Sequence, residues 1–246
     1  MRIFNSRAIF LGAIAVIGTC PAARAGQTGY ETLADWNSIA LARPGEQAGL
    51  ASSYDRNGNT LNDAGNYAGF DAGTGLHVIG ALSGPGELTR FWMPHLSANG
   101  AAPVKIFLDG NLAIDTNTQA FLPNQSYGSG PQFRSPFNWN LLGGSVTYEP
   151  IPFQRSAVVE IGDGGGVNFY QVGYRLFAPG TTVQPYSAPP TAGQLSDRAK
   201  AGTVLANPGV NPAAPAPSAQ HITLPATVIP AGTALPLASL VGSGQI

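Results

Sequence analysis

A polar stretch at residues 54–63 carries the side chains best suited to hydrogen-bonding sugar hydroxyls. Its candidate carbohydrate contacts are Tyr54, Asp55, Arg56, Asn57, Asn59 and Asp63. Carboxylates accept hydrogen bonds, and amides both accept and donate them, so the stretch suits a hydroxyl-rich ligand. The same residue types also stabilise turns by bonding to nearby backbone, which leaves a plain turn-rich connection as the alternative. A calcium loop fits poorly, because Thr60 and Asn66 stand where an EF-hand has Gly and Glu.

Three aromatic residues are candidates for stacking on sugar rings. Trp139 has an asparagine on each side and is the best platform, so we include it among the carbohydrate contacts. Trp92 lies in a strongly apolar strand, which predicts that it packs in the core. Tyr148 is the third candidate.

Glu87 and Glu149 most resemble an acid/base pair, since each lies in a distinctive motif. Retaining glycosidases need two carboxyl groups about 5–5.5 Å apart. Structural roles suit both residues better: we expect Glu87, at the start of a predicted strand, to cap a turn or pair with Arg90, and Glu149, before a proline, to fix a loop. We therefore assign no catalytic residue.

The sequence predicts neither a metal site nor a cofactor. His77, His95 and His221 share no metal-ligand spacing. The glycine-rich loop at residues 162–166 lacks the Lys and Ser/Thr of a phosphate-binding loop, and no helix pattern follows it.

Short strand-type segments separated by Gly, Pro and Asn turns position these residues. The clearest segments are 76–82, 88–93, 104–108, 156–161 and 167–177. Asp109-Gly110 follows one of them and is a strong hairpin signal. Many short strands with such turns predict an all-β fold, a jelly-roll β-sandwich.

The charge composition argues against a nucleic-acid partner. The chain has 12 Lys and Arg against 13 Asp and Glu, and its only lysines are Lys105 and Lys200. A nucleic-acid-binding surface needs clustered basic residues, so we predict no nucleic-acid partner.

The single cysteine, Cys20, lies in the N-terminal segment, which excludes disulfides and thiolate sites from the rest of the chain.

Residues 1–25 resemble an export signal. Arg2 and Arg7 precede an apolar run, and Ala23-Arg24-Ala25 fits the small-x-small cleavage rule. Lipidation at Cys20 fits less well, because a threonine precedes it and a proline follows it. We predict a secreted or periplasmic protein cleaved near Ala25, with no membrane span, since no other apolar run approaches about 18–20 residues.

The remaining chain divides into three parts. Residues 26–180 form the predicted first jelly roll. Residues 181–220 form an Ala/Pro-rich linker that can contain a short helix over 191–205, with Ser196-Asp197 as a candidate start. Residues 221–246 have strand-type composition again, as at Thr227–Ile229. Their last residues, Gly242-Ser-Gly-Gln-Ile246, resemble Gly84-Pro-Gly-Glu-Leu88. This repeat predicts the opening strands of a second, truncated jelly roll.

Three stretches also resemble a known family: Ser52-Ser-Tyr-Asp-Arg-Asn-Gly-Asn59, Gly84-Pro-Gly-Glu-Leu-Thr-Arg-Phe-Trp-Met93 with Ile106-Phe-Leu-Asp-Gly110, and Tyr148-Glu-Pro-Ile-Pro-Phe-Gln-Arg-Ser156. In this order they resemble the bacterial family grouped as glycoside hydrolase family 172. The resemblance implies two consecutive jelly rolls that assemble as trimers or larger rings. It also implies retaining hydrolysis or transglycosylation of fructofuranosides and arabinofuranosides, with furanose-containing poly- or oligosaccharides as partners.

The sequence departs from this family at the catalytic glutamates. The family places them in Trp-x-Glu-Gly-Asp and Gly-Thr-Gly-Thr-Glu-Asp-Tyr-Phe motifs, and neither motif occurs here. We therefore expect the exported N-terminal portion of a furanoside-acting hydrolase, inactive alone. The alternative is a non-catalytic carbohydrate-binding or structural β-sandwich of the envelope. A complete small hydrolase that uses Glu87, Glu149 or Asp55 is a third hypothesis.

Overall fold

The computed structural model describes residues 28–38, 43–58, 63–94, 101–122, 132–141, 144–163, 169–210, 212 and 225–236. These residues form eleven strands: β1 (Gln47–Ser52), β2 (Gly69–Asp71), β3 (Leu76–Ser83), β4 (Gly86–Pro94), β5 (Pro103–Leu108), β6 (Asn111–Asn117), β7 (Asn138–Leu141), β8 (Gly144–Thr147), β9 (Ile151–Phe153), β10 (Ser156–Ile161) and β11 (Gln171–Leu176). They also form helices α1 (Tyr30–Ala34), α2 (Thr118–Phe121) and α3 (Ala192–Leu205), and a 3-10 helix over Trp36–Ser38. The predicted signal segment lies outside the described residues.

The strands form two antiparallel sheets. The six-stranded sheet has the order β1-β11-β4-β8-β7, and β9 also pairs with β4. The five-stranded sheet has the order β2-β3-β10-β5-β6. Their inner faces share one core, so the predicted all-β sandwich is confirmed. The largest fully buried side chains are Tyr170, Phe91, Phe121, Phe133, Phe137, Phe153, Ile79, Leu88, Met93, Ile106, Ile114 and Leu122.

The predicted Asp109-Gly110 hairpin joins β5 to β6. Both residues have positive φ angles, 55° and 88°, as a type I′ turn requires. The Asp109 carboxylate accepts hydrogen bonds from three successive backbone N–H groups, those of Gln154, Arg155 and Ser156, at 2.6–3.2 Å. This hairpin therefore also fixes the turn between β9 and β10.

Helix α3 packs against α1 rather than standing apart from the sandwich. Thr191 and Gln194 cap its N-terminus reciprocally, so the helix starts at Ala192 and the predicted start near Ser196 is wrong. Ala201 is buried in a small cluster with Tyr30 and Phe137. We expected residues 181–220 to be a linker. Helix α3 instead belongs to the packed structure, because its buried residue Ala201 contacts the cluster that contains Tyr30 and Phe137.

The described part of the C-terminal segment, residues 225–236, contains no strand. The strand predicted at Thr227–Ile229 is therefore wrong: Val228 and Ile229 are exposed, and no neighbouring strand among the described residues pairs with them. A second jelly roll stays a prediction of the sequence. Within the described part of the chain, no helix has the length and apolarity needed to cross a membrane.

Candidate functional site

The outer face of the six-stranded sheet carries two tryptophans in one cross-strand row. Phe91 and Met93 of β4 point into the core, so Trp92 between them lies on the opposite face. Val146 of β8 pairs with Trp92 on one side and with Trp139 of β7 on the other. We call this surface, defined by Arg90, Trp92, Trp139, Val146 and Gln171, the tryptophan face.

Trp92 lies across β8, next to a position without a side chain. A Cβ atom at Gly144 would stand 2.6 Å from the indole Nε1 of Trp92. The absence of a side chain at Gly144 therefore leaves the space that the indole occupies. Our prediction that Trp92 packs in the core is wrong, because strand alternation overrides the apolar character of the segment.

Trp139 is 37 % exposed, and its ring is held in place. Its indole Nε1 donates a 2.6 Å hydrogen bond to the backbone oxygen of Pro136. Asn140 beside it is exposed. A fixed, partly exposed indole with a polar neighbour can stack on the apolar face of a ring without losing much conformational entropy. Its role as a carbohydrate contact stays a prediction.

Arg90 and Gln171 extend the tryptophan face along β4 and onto β11, the neighbouring strand on the side of β1. Gln171 of β11 pairs with Trp92, and its Oε1 accepts a 2.7 Å hydrogen bond from Nη1 of Arg90. Gly173 of β11 lies beside Arg90, and a Cβ there would stand 3.3 Å from that of Arg90. Neither residue was predicted as a contact from the sequence, although Arg90 and Trp92 stand two apart in one strand and so share a face.

The polar loop after β1 uses its carboxylates to hold its own turns. Asp55 accepts the backbone N–H of Asn57 at 2.8 Å, and Asp63 accepts that of Asp55 at 2.9 Å. The Tyr54 ring is 53 % exposed, and the Arg56 guanidinium lies 4.9 Å from its centroid. Asn59 lies outside the described residues. The groups left for a ligand are the exposed side chains of Tyr54, Arg56 and Asn57.

The two predicted contact regions lie at opposite edges of one sheet face. Ser52 ends β1 and pairs with Gln171, which continues the row to Trp92, Val146 and Trp139. Four strand spacings separate the ends of this row, a span of roughly 19 Å at about 4.8 Å per spacing. The structure thus aligns the loop and Trp139 without bringing them into contact.

Glu87 is buried and ion-paired rather than open to substrate. Its carboxylate binds Nη2 of Arg175 at 3.0 Å and the backbone N–H of Gly29 at 2.7 Å. Burial raises the pKa of Glu87 to about 7, although Arg175 and the N–H of Gly29 oppose the rise. Arg175 also lies 3.5 Å from Glu46, so one guanidinium serves two carboxylates.

Glu149 lies in the break between β8 and β9 and has no exposed surface. Arg198 of α3 binds its two oxygens at 2.7 and 3.2 Å, and the Tyr30 hydroxyl donates to it at 2.5 Å. Burial and the adjacent Glu149 raise the pKa of Tyr30 above its ordinary value. Neither Glu87 nor Glu149 has surface for a substrate to reach, so both have structural roles.

Other titratable groups form local pairs. His77 contacts Asp163 at 3.0 Å and stacks on Tyr67, whose ring centroid is 4.0 Å away. His95 and His221 lie outside the described residues. Among the residues that the structure describes, no group of three or more His, Asp or Glu side chains could hold a metal ion.

A small cleft of about 130 Å³ lies between the start of α1 and the start of α3. Tyr30, Gln132, Tyr186, Gln194 and Asp197 are among its lining residues. The Oε1 atom of Gln194 already accepts two hydrogen bonds, from the backbone N–H of Thr191 and from the hydroxyl of Ser187. The groups at this cleft therefore serve mainly to hold the two helices in place.

A comparison with family models adds a family assignment to this geometry. Residues 44–193 match the model of the GH172 first beta-sandwich domain. The chain belongs to family GH172. The matched range contains all eleven strands of the GH172 domain and the first two residues of α3. The resemblance seen in the sequence is confirmed, and the fold is that of a glycoside-hydrolase-related β-sandwich domain.

Comparisons with solved structures find only distant similarity to the GH172 domain. The catalytic domain of GH87 alpha-1,3-glucanase in complex with nigerose is 13 % identical, with a TM-score of 0.22 over 58 % of this chain and 30 % of that chain. A variant of the same domain in complex with tetrasaccharides is 12 % identical, with a TM-score of 0.20 over 60 % of this chain and 28 % of that chain. The chain spans less than a third of the length of these structures. No curated protein matches it.

Proposed function

We propose that this chain is the exported, glycan-binding first domain of a furanoside-acting glycoside hydrolase, and that the tryptophan face contacts the glycan. The observation that carries the proposal is the shared row of Trp92 and Trp139 on the outer face of the six-stranded sheet. Furanoside specificity follows from the family's implied activity. The expected ligand is a poly- or oligosaccharide that contains fructofuranose or arabinofuranose units.

The physical chemistry of the tryptophan face supports a sugar ligand. Indole rings offer flat apolar surface, while the side-chain amide of Gln171, which lies on the same face, can hydrogen-bond to hydroxyl groups. The span of roughly 19 Å from Ser52 to Trp139 suits a chain of several sugar units rather than one, given strand spacings of about 4.8 Å. The polar loop at residues 54–58 would then contact the far end of the ligand.

Binding without hydrolysis is the expected behaviour of this chain alone. The buried glutamates Glu87, Glu149 and Glu160 are 2 %, 0 % and 1 % exposed. The two glutamate motifs of the family are absent from the sequence. Catalysis by a furanosidase therefore needs carboxylates that a further domain supplies, in an assembly such as a homotrimer or larger ring.

Tryptophan fluorescence tests the binding proposal directly, because the chain has only three tryptophans. We expect arabinan or inulin, but not dextran, to change the emission of the purified chain and to retard it in affinity gels. Trp139→Ala and Trp92→Ala should weaken retardation about tenfold each, the loss expected from one good stacking contact. Trp36→Ala is the matched control, since Trp36 is 42 % exposed but lies in the 3-10 helix. Equal retardation of all four proteins would overturn the proposal.

The proposed export and the proposed lack of hydrolytic activity need separate measurements. N-terminal sequencing of the protein in the producer's exported fraction should begin at Gly26, and an uncleaved N-terminus there would contradict the proposed signal. The purified chain should not turn over a nitrophenyl arabinofuranoside. Turnover that survives Asp55→Ala but is lost in a Glu149→Gln variant that still folds would instead favour the complete small hydrolase.

A further inference from the structure

We infer that the glycan bound at the tryptophan face carries an anionic group, and that Arg90 binds this group. The inference rests on the proposed function, since it concerns the chemistry of that ligand. Its starting point is an imbalance of charge at the centre of the face.

Arg90 differs from the other half-buried arginines of the described chain. Arg43, Arg175 and Arg198 each have a carboxylate partner, at 3.9, 3.0 and 2.7 Å respectively. Arg90 has no such ion pair with any residue that the structure describes. Among the described residues, its guanidinium donates to the neutral amide of Gln171, and its Nε is buried without a hydrogen-bond partner, as is the Nε of Arg175.

A guanidinium that is partly removed from water without a counter-ion is unfavourable, and an anionic ligand would remove that cost. The side chain is already positioned for such a ligand. Gly173, its cross-strand neighbour, has no side chain to crowd it, and the 2.7 Å bond to Gln171 fixes its orientation. The planar guanidinium matches the geometry of carboxylate and phosphate groups, so it can donate two parallel hydrogen bonds.

The position of Arg90 relative to Trp92 specifies where the anion sits on the sugar. The two residues are two apart on β4 and share one face, a separation of about 7 Å along a strand. A ring stacked on Trp92 would thus place a substituent, rather than a ring atom, beside the guanidinium. We assign this substituent as an oxyanion: the carboxylate of a uronic acid, or a phosphate ester that presents the same chemistry.

The test compares polymers that differ only in charge. Arabinan carrying galacturonic acid is measured against the same polymer after carboxyl reduction and against arabinan phosphorylated to a similar degree, by affinity electrophoresis at low salt. The wild-type chain should bind the uronate polymer about tenfold more tightly than the reduced one, as expected for a charge-assisted bidentate contact. Arg90→Gln should abolish this ratio, and Arg90→Lys should keep part of it. Arg134→Gln removes an exposed charge and is the matched control.

Each outcome separates the two proposals. Equal binding of charged and reduced polymers by the wild type would overturn the anion site and leave glycan binding intact. Failure to bind any of the polymers would overturn the proposed function itself. Preference for the phosphorylated polymer over the uronate polymer would identify a phosphate as the source of the anion. Arg90→Lys keeps the positive charge. A folded lysine variant that bound the uronate and reduced polymers equally would therefore contradict an ion pair between residue 90 and the anion.

Discussion

Arg198 of α3 and Glu149, in the break between β8 and β9, form a bidentate ion pair with bonds of 2.7 and 3.2 Å. The guanidinium also lies 4.4 Å from the centroid of the Phe137 ring, which shields the pair from water. Tyr30 completes the group, because its hydroxyl donates to the same carboxylate oxygen, Oε1, that Nε of Arg198 binds. The pair therefore joins both helices to the sandwich at a single buried position.

Arg198→Ala should strongly destabilise the domain. It would leave the fully buried Glu149 without its counter-ion, a loss of about 3–5 kcal/mol in the free energy of unfolding. Urea unfolding followed by circular dichroism measures this loss. Lys200→Ala is the control, because Lys200 forms an exposed pair with Asp197 and its removal should change stability little. A mild effect of Arg198→Ala would contradict a tight buried pair.

Glu87 should make the domain lose stability as pH rises between about 4.5 and 7. Its pKa is raised to about 7 by burial in the folded state, against an ordinary 4.5. The folded state therefore holds this proton more tightly than the unfolded chain, so the free energy of unfolding falls with rising pH through that window and is flat above it. The full effect is on the order of 3 kcal/mol.

Comparison with Glu87→Gln isolates this group, since glutamine does not titrate. Relative to the variant, the wild type should be more stable near pH 4.5 than near pH 7.5. Urea unfolding of both proteins at the two pH values gives the difference. A wild-type advantage that grew with pH would show that the ion pair with Arg175 outweighs burial.

Gly144→Ala should disturb the tryptophan face. The new methyl group would stand 2.6 Å from the Trp92 indole, so the ring must move. We expect a changed tryptophan emission spectrum and weaker glycan retardation, with little loss of core packing. Gly80→Ala, in β3 of the five-stranded sheet, is the control, because its Cβ would meet only ordinary contacts at 3.8–4.0 Å. Unchanged emission in Gly144→Ala would mean that Trp92 lies elsewhere.

Asp109→Asn should weaken the hairpin between β5 and β6. Burial alone would raise the pKa of Asp109, but the three N–H donors of residues 154–156 hold it below its ordinary 3.8. Its contribution is therefore complete above about pH 4 and is lost as pH falls through the lowered folded-state pKa. Asparagine tolerates the positive φ, so the expected loss of about 1–2 kcal/mol at neutral pH reports the lost charge together with the one acceptor oxygen that the amide nitrogen replaces. Asp115→Asn, at an exposed pair with Lys105, should be nearly neutral by urea unfolding.

The sequence predicted what depends on local pattern. Strand-type segments and the Asp109-Gly110 turn located the sandwich, and the run over 191–205 located a helix. The partners of the buried charges could not be predicted in this way. Arg198 is 49 residues from Glu149, and Tyr30 is 119 residues from it, so no spacing rule connects them.

The candidate site shows the same division. The polar neighbours of Trp139 predicted its exposure, which is a local property. The face occupied by Trp92 was misassigned because hydropathy was given more weight than alternation with Phe91 and Met93. Gln171 was missed because its pairing with Trp92 is set by strand register, which joins residues 79 positions apart.

The break between β8 and β9 has a consequence for how the domain opens. The N-terminal helix and the last described helix are far apart in sequence, yet Tyr30 and Arg198 meet at the same carboxylate. Release of either helix would expose a buried charge and so release the other. In native-state hydrogen exchange, the amides of α1 and α3 should therefore exchange together as one cooperative unit.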